Sequence, residues 1–317
     1  MIQPRAFWTV APGRGEILSA ASLPPDPDKL EVHTVATGVS RGTEALVFAG
    51  RVPASQYQAM RAPLMEGTFP FPVKYGYSAV GRIADGTRVF VLHPHQDRFV
   101  APASMCIRIP DAVPTNRAVL AANMETALNI VWDAAPLPGE RMLVIGAGVV
   151  GLLTASLLAR MPGTCVAVAD VDRTREGLAR SFGCDFVVPE HAPHEQDLVI
   201  HASASEAGLR LALDCAGFEA RVVEASWFGD AAPALPLGEA FHARRLRLIA
   251  SQVGAIAPAM RGRRSHGERL GLALELLADS RYDALLEGPT RFEDMPEAMP
   301  RILAPGGLCH VITYGTE

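Results

Sequence analysis

The sequence predicts an α/β protein: a doubly wound parallel sheet preceded by a β-rich region. Three observations predict it. The first 120 or so residues are rich in Pro and Gly and carry only short β-type runs. From residue 121 onward, helix-like and strand-like apolar segments alternate. Between two of these segments lies Val144-Ile145-Gly146-Ala147-Gly148-Val149-Val150-Gly151, a Gly-x-Gly-x-x-Gly turn set between a strand and a helix.

The elements follow in order. Glu31 to Ala36 and Thr87 to Leu92 alternate as strands of a small irregular barrel, and Pro24-Pro25 marks a loop. Ala121 to Ala134 has the period and length of a helix, Met142 to Ile145 that of a buried parallel strand, and Gly151 to Arg160 that of the next helix. Cys165 to Ala169 is a second strand, followed by a helix from Arg173 to Phe182 that Gly183 stops. Leu198 to His201, Arg221 to Ala225 and Leu246 to Ala250 supply further strands. With the helix Ala207 to Ala216 they fit a six-stranded sheet. A long amphipathic helix from His266 to Ala278 and a strand within Gly306 to Tyr314 return the chain to the first region. The expected division is 1–120, completed by about 262–317, and 121–261.

The glycines of the turn have separate tasks. Gly146 makes the tight turn, Gly148 lets backbone approach a pyrophosphate, and Gly151 lets the helix lie close on the strand; Ala147, Val149 and Val150 complete the cradle. Twenty-four residues after Gly146, Asp170 ends the second strand, where its carboxylate can accept hydrogen bonds from both hydroxyls of an adenine ribose. That favours NAD over NADP. Asp172 adds negative charge, while Arg173 and Arg175 stand where a 2′-phosphate clamp is often placed. Ser203, Trp227, Ser251 and Val253 follow later strands and mark the carboxyl edge where the nicotinamide half is expected.

Composition bounds the rest. A chain of 317 residues makes two domains, and a net charge of −5 without a basic aromatic groove argues against nucleic acid. Arg244-Arg245 and Arg261 to Arg264 read as solvated helix ends, with an acidic substrate as the other reading. The amino-terminal Met1 to Trp8 lacks a leader pattern and no apolar window reaches eighteen residues, so a cytoplasmic protein without membrane contact is expected. The five cysteines are scattered singly, as buried thiols rather than disulfides or a zinc cluster. Only Lys29 and Lys74 are lysines, leaving little room for Schiff-base chemistry.

Three segments carry a resemblance. Thr37 to Glu44, Gly76-Tyr77-Ser78-Ala79-Val80-Gly81 and the glycine turn with Asp170 together resemble the medium-chain alcohol dehydrogenase superfamily over essentially the whole chain. The resemblance implies a GroES-like catalytic domain, a Rossmann dinucleotide-binding domain and a homodimer. Within it, Ser40-Arg41-Gly42-Thr43-Glu44, Gly50-Arg51-Val52-Pro53 and the Gly76 motif resemble the hydroxyethyl-bacteriochlorophyllide dehydrogenase-like group. The departures concern metal. Where zinc-dependent members have cysteine this chain has Ser40 or Arg41, where they have histidine it has Tyr77, and the third segment, Ala121 to Glu125, offers only Glu125. Such donors hold zinc poorly, and the four-cysteine lobe is missing, so no zinc is expected.

Without zinc, side chains must handle the alcohol proton and stabilise oxygen charge. Thr43 stands where relatives keep a relay hydroxyl. Tyr77 either hydrogen-bonds the carbonyl oxygen or fills the volume of the lost metal. His93 and His95 follow a strand that borders the substrate pocket in the superfamily, and either is a candidate base or a surface residue. Glu125 and Glu44 are weaker carboxylate candidates. The expected activity is a zinc-independent NAD(H) oxidoreductase interconverting a secondary alcohol and a ketone on a small-molecule substrate, one large enough to contain rings. An NADPH-dependent quinone or enoyl reductase and a silent nucleotide sensor are the alternatives.

Overall fold

The computed structural model describes residues 3–21 and 26–315, so the loop expected at Pro24-Pro25 lies outside the described residues. The chain separates into two compact units, Met1–Ala122 with Leu270–Glu317, and Asn123–Arg269.

The second unit is built on a six-stranded, all-parallel sheet. Its strands lie in the order Asp185–Val187, Cys165–Ala169, Arg141–Ile145, Gln196–His201, Ala216–Glu224 and Arg247–Ala250. Leu143, Val144, Val168, Val199, Ile200, Val222 and Val223 are wholly buried, which is why these strands read as unbroken apolar runs. The helices Val149–Leu158, Glu176–Ser181 and Glu206–Cys215 connect them. Strand order reverses beside Arg141–Ile145, which pairs Val144 with Val168 on one side and with Ile200 on the other. Such a reversal opens a crevice at the carboxyl ends of the strands. The segment expected as one helix from Arg173 to Phe182 begins instead as a 3₁₀ turn, Arg173–Arg175, because Asp172 accepts from the Thr174 amide.

The first unit is β-rich. The eleven-residue strand Lys29–Val39 organises it by pairing with three partners: Arg98–Pro102 along residues 29–33, Ala79–Arg82 along 33–37, and the late strand Cys309–Thr313 along 36–39. Leu286–Arg291 extends the sheet beyond Cys309–Thr313, and Arg88–Val91 with Ile107–Arg108 extends it beyond Ala79–Arg82. A second sheet joins the hairpin Arg5–Ala11 and Arg14–Ser19 to Val73–Lys74 and Glu66–Gly67. The helix Arg41–Phe48 leaves the end of Lys29–Val39 through Ser40 and buries Val47 and Phe48, the latter in one apolar cluster with Phe7, Val39 and Met299. Among the described residues, no helix is long and apolar enough to cross a membrane.

Candidate active site

The glycine turn sits at the crevice of the second unit. Gly146 has φ +107°, and a Cβ there would lie 2.8 Å from the backbone of Ala202; its amide donates to Ala169 O at 2.8 Å. A Cβ on Gly151 would fall 1.9 Å from Gly146 O, so the helix Val149–Leu158 packs on the turn at a distance only glycine permits. Gly148 differs from both. It caps that helix with φ −76° and ψ 178°, has no side chain to bond the first amides, and a Cβ would meet nothing within 4 Å. The result is an open cradle at a helix amino terminus, whose first N–H groups have no acceptor within the helix. Ala147 is buried, and Val149 and Val150 form the first helical turn.

Asp170 is fixed from both sides: Oδ2 accepts from the Ala147 amide at 2.6 Å and Oδ1 from the Asp172 amide at 2.8 Å. Each oxygen keeps lone-pair capacity for a hydroxyl donor. Arg175, expected near a phosphate, lies 3.3 Å from Asp172 Oδ2. Ser203 is exposed after its strand and hydrogen-bonds His201, while Trp227 is half-buried beyond Glu224. Ser251 donates to Asp133 Oδ2 at 2.7 Å, and the Val253 carbonyl accepts from Arg269 at 2.5 Å.

Glu125 belongs to the second unit and is not free for chemistry. Its Oε1 is 3.0 Å from Arg269 Nε, both side chains being buried, and the guanidinium also bonds Asn129, Val253 and Ala255. Burial raises the Glu125 pKa and the Arg269 charge opposes the rise.

The other candidates fall in the first unit, where a polar cluster surrounds Ser40. Tyr77 Oη donates to Ser40 Oγ at 2.7 Å. Its pKa is pushed up to about 12, chiefly by burial; the hydrogen bonds it shares with Ser40 and Thr43 work against that rise, and the Glu44 charge adds to it. Glu44 Oε1 accepts from the Ser40 amide at 2.7 Å, and its Oε2 lies 3.0 Å from His95 Nε2. His95 Nδ1 is 2.6 Å from Thr37 Oγ1, which is 3.2 Å from Tyr314 Oη. With a neutral imidazole the donors run in one direction: Tyr314 to Thr37, Thr37 to His95, His95 to Glu44. Gly76, at φ +115°, makes room for this, since a Cβ would come 2.8 Å from the His95 ring. Thr43 and Tyr77 are therefore half-buried hydroxyls, with Glu44 and His95 buried behind them.

His93 is placed differently. Its ring stacks on Phe99 with centroids 3.6 Å apart and planes 6° from parallel, and Nδ1 donates to Pro94 O at 2.8 Å. Burial, with Lys74 nearby, lowers its pKa to about 3, so the ring is neutral at ordinary pH. It is a weak base there, packed as a flat apolar surface.

The donor set does not suit zinc. Ser40 and Tyr77 hydroxyls bond each other, Ala122 has no ligand atom, and His95 uses both nitrogens. Among the described residues, no group of three or more His, Cys, Asp or Glu side chains is placed to hold a metal ion. Sequence reading missed Ser40 as the hub of the hydroxyl cluster, Arg269 as the partner of Glu125, and the His201–Glu224 pair. A histidine ending an apolar strand ahead of Ser-x-Ser was the available signal for the last.

The whole chain superposes on solved dehydrogenases. L-idonate 5-dehydrogenase of Escherichia coli aligns with a TM-score of 0.80 at 13% identity, covering 98% of each chain. A dehydrogenase of Sinorhizobium meliloti bound to NADP aligns with a TM-score of 0.79 at 17% identity, over 99% of this chain and 100% of that one. An alcohol dehydrogenase of E. coli complexed with NADH gives 0.78 at 16% identity, over 98% and 100%. The fold is that of the alcohol dehydrogenases. No protein-family model matches the chain. By sequence, a zinc-type alcohol dehydrogenase-like protein of Haemophilus influenzae is 27% identical over 141 residues, 40% of each chain. Sorbitol dehydrogenase of Arabidopsis thaliana is 26% identical over 127 residues, 38% of this chain and 34% of that protein. The matched segments thus span two fifths or less of these relatives.

Proposed function

We propose that this chain is a nicotinamide-dependent oxidoreductase that interconverts a secondary alcohol and a ketone, using NAD(H) and no zinc. The observation that carries the cofactor is the open Gly148 cradle beside a fixed Asp170 carboxylate. Solved structures of the same fold hold NADP or NADH, and sequence relatives include alcohol and polyol dehydrogenases. Asp170 supports NAD, because a 2′-phosphate beside that carboxylate and Asp172 would be repelled.

A bound nicotinamide supplies the hydride acceptor. The chain's own part is to handle the oxygen. The Tyr77 phenol keeps its proton at physiological pH, since its pKa is pushed up to about 12. It is still more acidic than an aliphatic alcohol, so once turned from Ser40 Oγ onto the substrate it can hold a hydrogen bond to an alkoxide-like oxygen better than water does, the alcohol proton having passed to water. Ser40 and Thr43 orient that phenol, and Glu44 behind them keeps its proton in place. This supports a hydrogen-bonding electrophile in the position relatives give to metal.

Fluorescence titration with NADH and NADPH tests the cofactor: NADH binding tighter by tenfold or more is expected, and the reverse preference overturns the assignment. Metal analysis tests the electrophile, and zinc at one equivalent per chain overturns that part.

A further inference from the structure

The crevice edge of the second unit carries a second set of chemical groups, which the proposed handling of the alcohol oxygen does not use, although Ser203 also marks the edge expected for the nicotinamide half. His201, wholly buried at the end of strand Gln196–His201, has Nδ1 2.6 Å from Glu224 Oε2 and Nε2 2.7 Å from Ser203 Oγ. Glu224 Oε1 accepts from the Ser226 amide at 2.7 Å, which fixes the carboxylate. The carboxylate holds the imidazole proton on Nδ1, so Nε2 presents a lone pair to the Ser203 hydroxyl. Ser205 Oγ accepts from the Gly208 amide and lies 2.8 Å from Ser203 Oγ. Ser203 thus gives its proton to His201, receives one from Ser205, and keeps one lone pair for the solvent side, where it is exposed.

Two features of the backbone belong to this arrangement. Ala204, next to Ser203, has φ +51°, a left-handed conformation that alanine seldom adopts, and its amide donates to Ser226 Oγ at 3.0 Å. Gly208 sits inside the helix Glu206–Cys215, where glycine weakens a helix. A Cβ there would come 2.4 Å from Ser203 Oγ, 2.8 Å from His201 Nε2 and 2.8 Å from Ser205 Oγ. The glycine keeps clear the space in which the three side chains meet.

We propose that Ser203, His201 and Glu224 form a nucleophilic relay that takes acyl groups from activated esters onto Ser203. His201 Nε2 accepts the Ser203 proton as Oγ bonds to the acyl carbon; the leaving alcohol departs with that proton, giving an acyl-enzyme. Water, activated by the same imidazole, then releases the carboxylic acid and restores the serine. The helix Glu206–Cys215 begins just after Ser203 and Ser205, and its first-turn amides, which have no acceptor in their own helix, would serve as the donors to the carbonyl oxygen. Glu224 acts as a positioning residue through the imidazole.

The test uses the full chain without added cofactor and p-nitrophenyl acetate as the probe. A burst of p-nitrophenolate matching the enzyme concentration is expected, with one acetyl group on the peptide bearing Ser203. Ser203→Ala removes both, and His201→Gln slows the burst by about a hundredfold or more. Glu224→Gln moves the pH profile of acylation to lower pH, which a purely structural role would not do. Gly208→Ala, a change that favours the helix, lowers acylation at least tenfold by displacing the serine hydroxyl. Absence of acetylated Ser203 in the wild-type chain overturns the proposal. Equal acylation in wild type and His201→Gln overturns the relay. A fall in NADH affinity for Ser203→Ala, with no acylation of the wild type, assigns this serine to the cofactor instead.

Discussion

Substituting Gly148 by alanine adds one methyl group at the point where the proposed cofactor must come closest to backbone. In the unliganded chain the methyl is tolerated, for φ −76° and ψ 178° are ordinary extended angles and nothing lies within 4 Å. The loss of a favourable cap residue costs about 0.5 kcal/mol, so folding stability is nearly unchanged. Binding is different. A pyrophosphate oxygen pushed off the helix amino terminus loses at least one charge-assisted hydrogen bond, worth about 1.5–3 kcal/mol, or roughly a ten- to hundredfold loss of affinity. Gly151→Ala is the comparison. Its Cβ would fall 1.9 Å from Gly146 O, short of a 3.0 Å contact by 1.1 Å (3.0 − 1.9), so the helix must withdraw by that much or more. Such overpacking costs about 1–3 kcal/mol and lowers the melting temperature by several degrees. NADH titration and thermal melts of the two variants measure both effects. A wild-type NADH affinity for Gly148→Ala refutes the cradle, and so does a loss of melting temperature equal to that of Gly151→Ala.

Other outcomes follow from the buried charges and the phenol. Arg269→Met leaves Glu125 buried without its cation, and urea unfolding at pH 7 is expected to show a loss of about 3–5 kcal/mol. The Glu125 pKa is already raised by burial, so its cost is absent below the ordinary glutamate pKa and grows as pH rises through the folded value. The deficit of the variant should therefore narrow on acidification, and a gap constant from pH 8 to pH 5 contradicts this. His93, with its folded pKa lowered to about 3, destabilises the fold as pH drops below the unfolded histidine value. His93→Phe keeps a ring on Phe99 and should be about 3 kcal/mol less sensitive to acid at pH 4.5; parallel pH–stability curves count against it. Tyr77→Phe should lower kcat for alcohol oxidation about a hundredfold with little change in melting temperature, and unchanged turnover removes Tyr77 from the chemistry.

Local order was legible wherever a period or a turn residue carried it. Cys165–Ala169 and Ala121–Ala134 have the bounds their apolar patterns indicate. The sixth strand was not, because Asp185–Val187 is three residues long and too short to show a period. The eight-residue helix Arg41–Phe48 lies inside a segment that reads first as a motif. Its start depends on Glu44 reaching back to the Ser40 amide, a contact without sequence periodicity. The site suffers the same limit more severely. Glu44 and His95 are 51 residues apart, and Glu125 and Arg269 are 144 apart. Sequence can name such residues as polar exceptions in apolar surroundings, but their pairing is decided by tertiary packing.

The bond between Thr37 and Tyr314 closes 277 residues of chain, and Tyr314 stands just beyond a strand that pairs with residues 36–39. During synthesis, the long strand Lys29–Val39 emerges early and waits for its neighbour until almost all the remaining described chain has been made. The second unit, contiguous from Asn123 to Arg269, can meanwhile complete its own sheet. The hydroxyl cluster around Ser40 would then be among the last parts of the molecule to be set, and premature termination before Cys309 would yield a finished second unit and, in the first, an open sheet edge along residues 36–39.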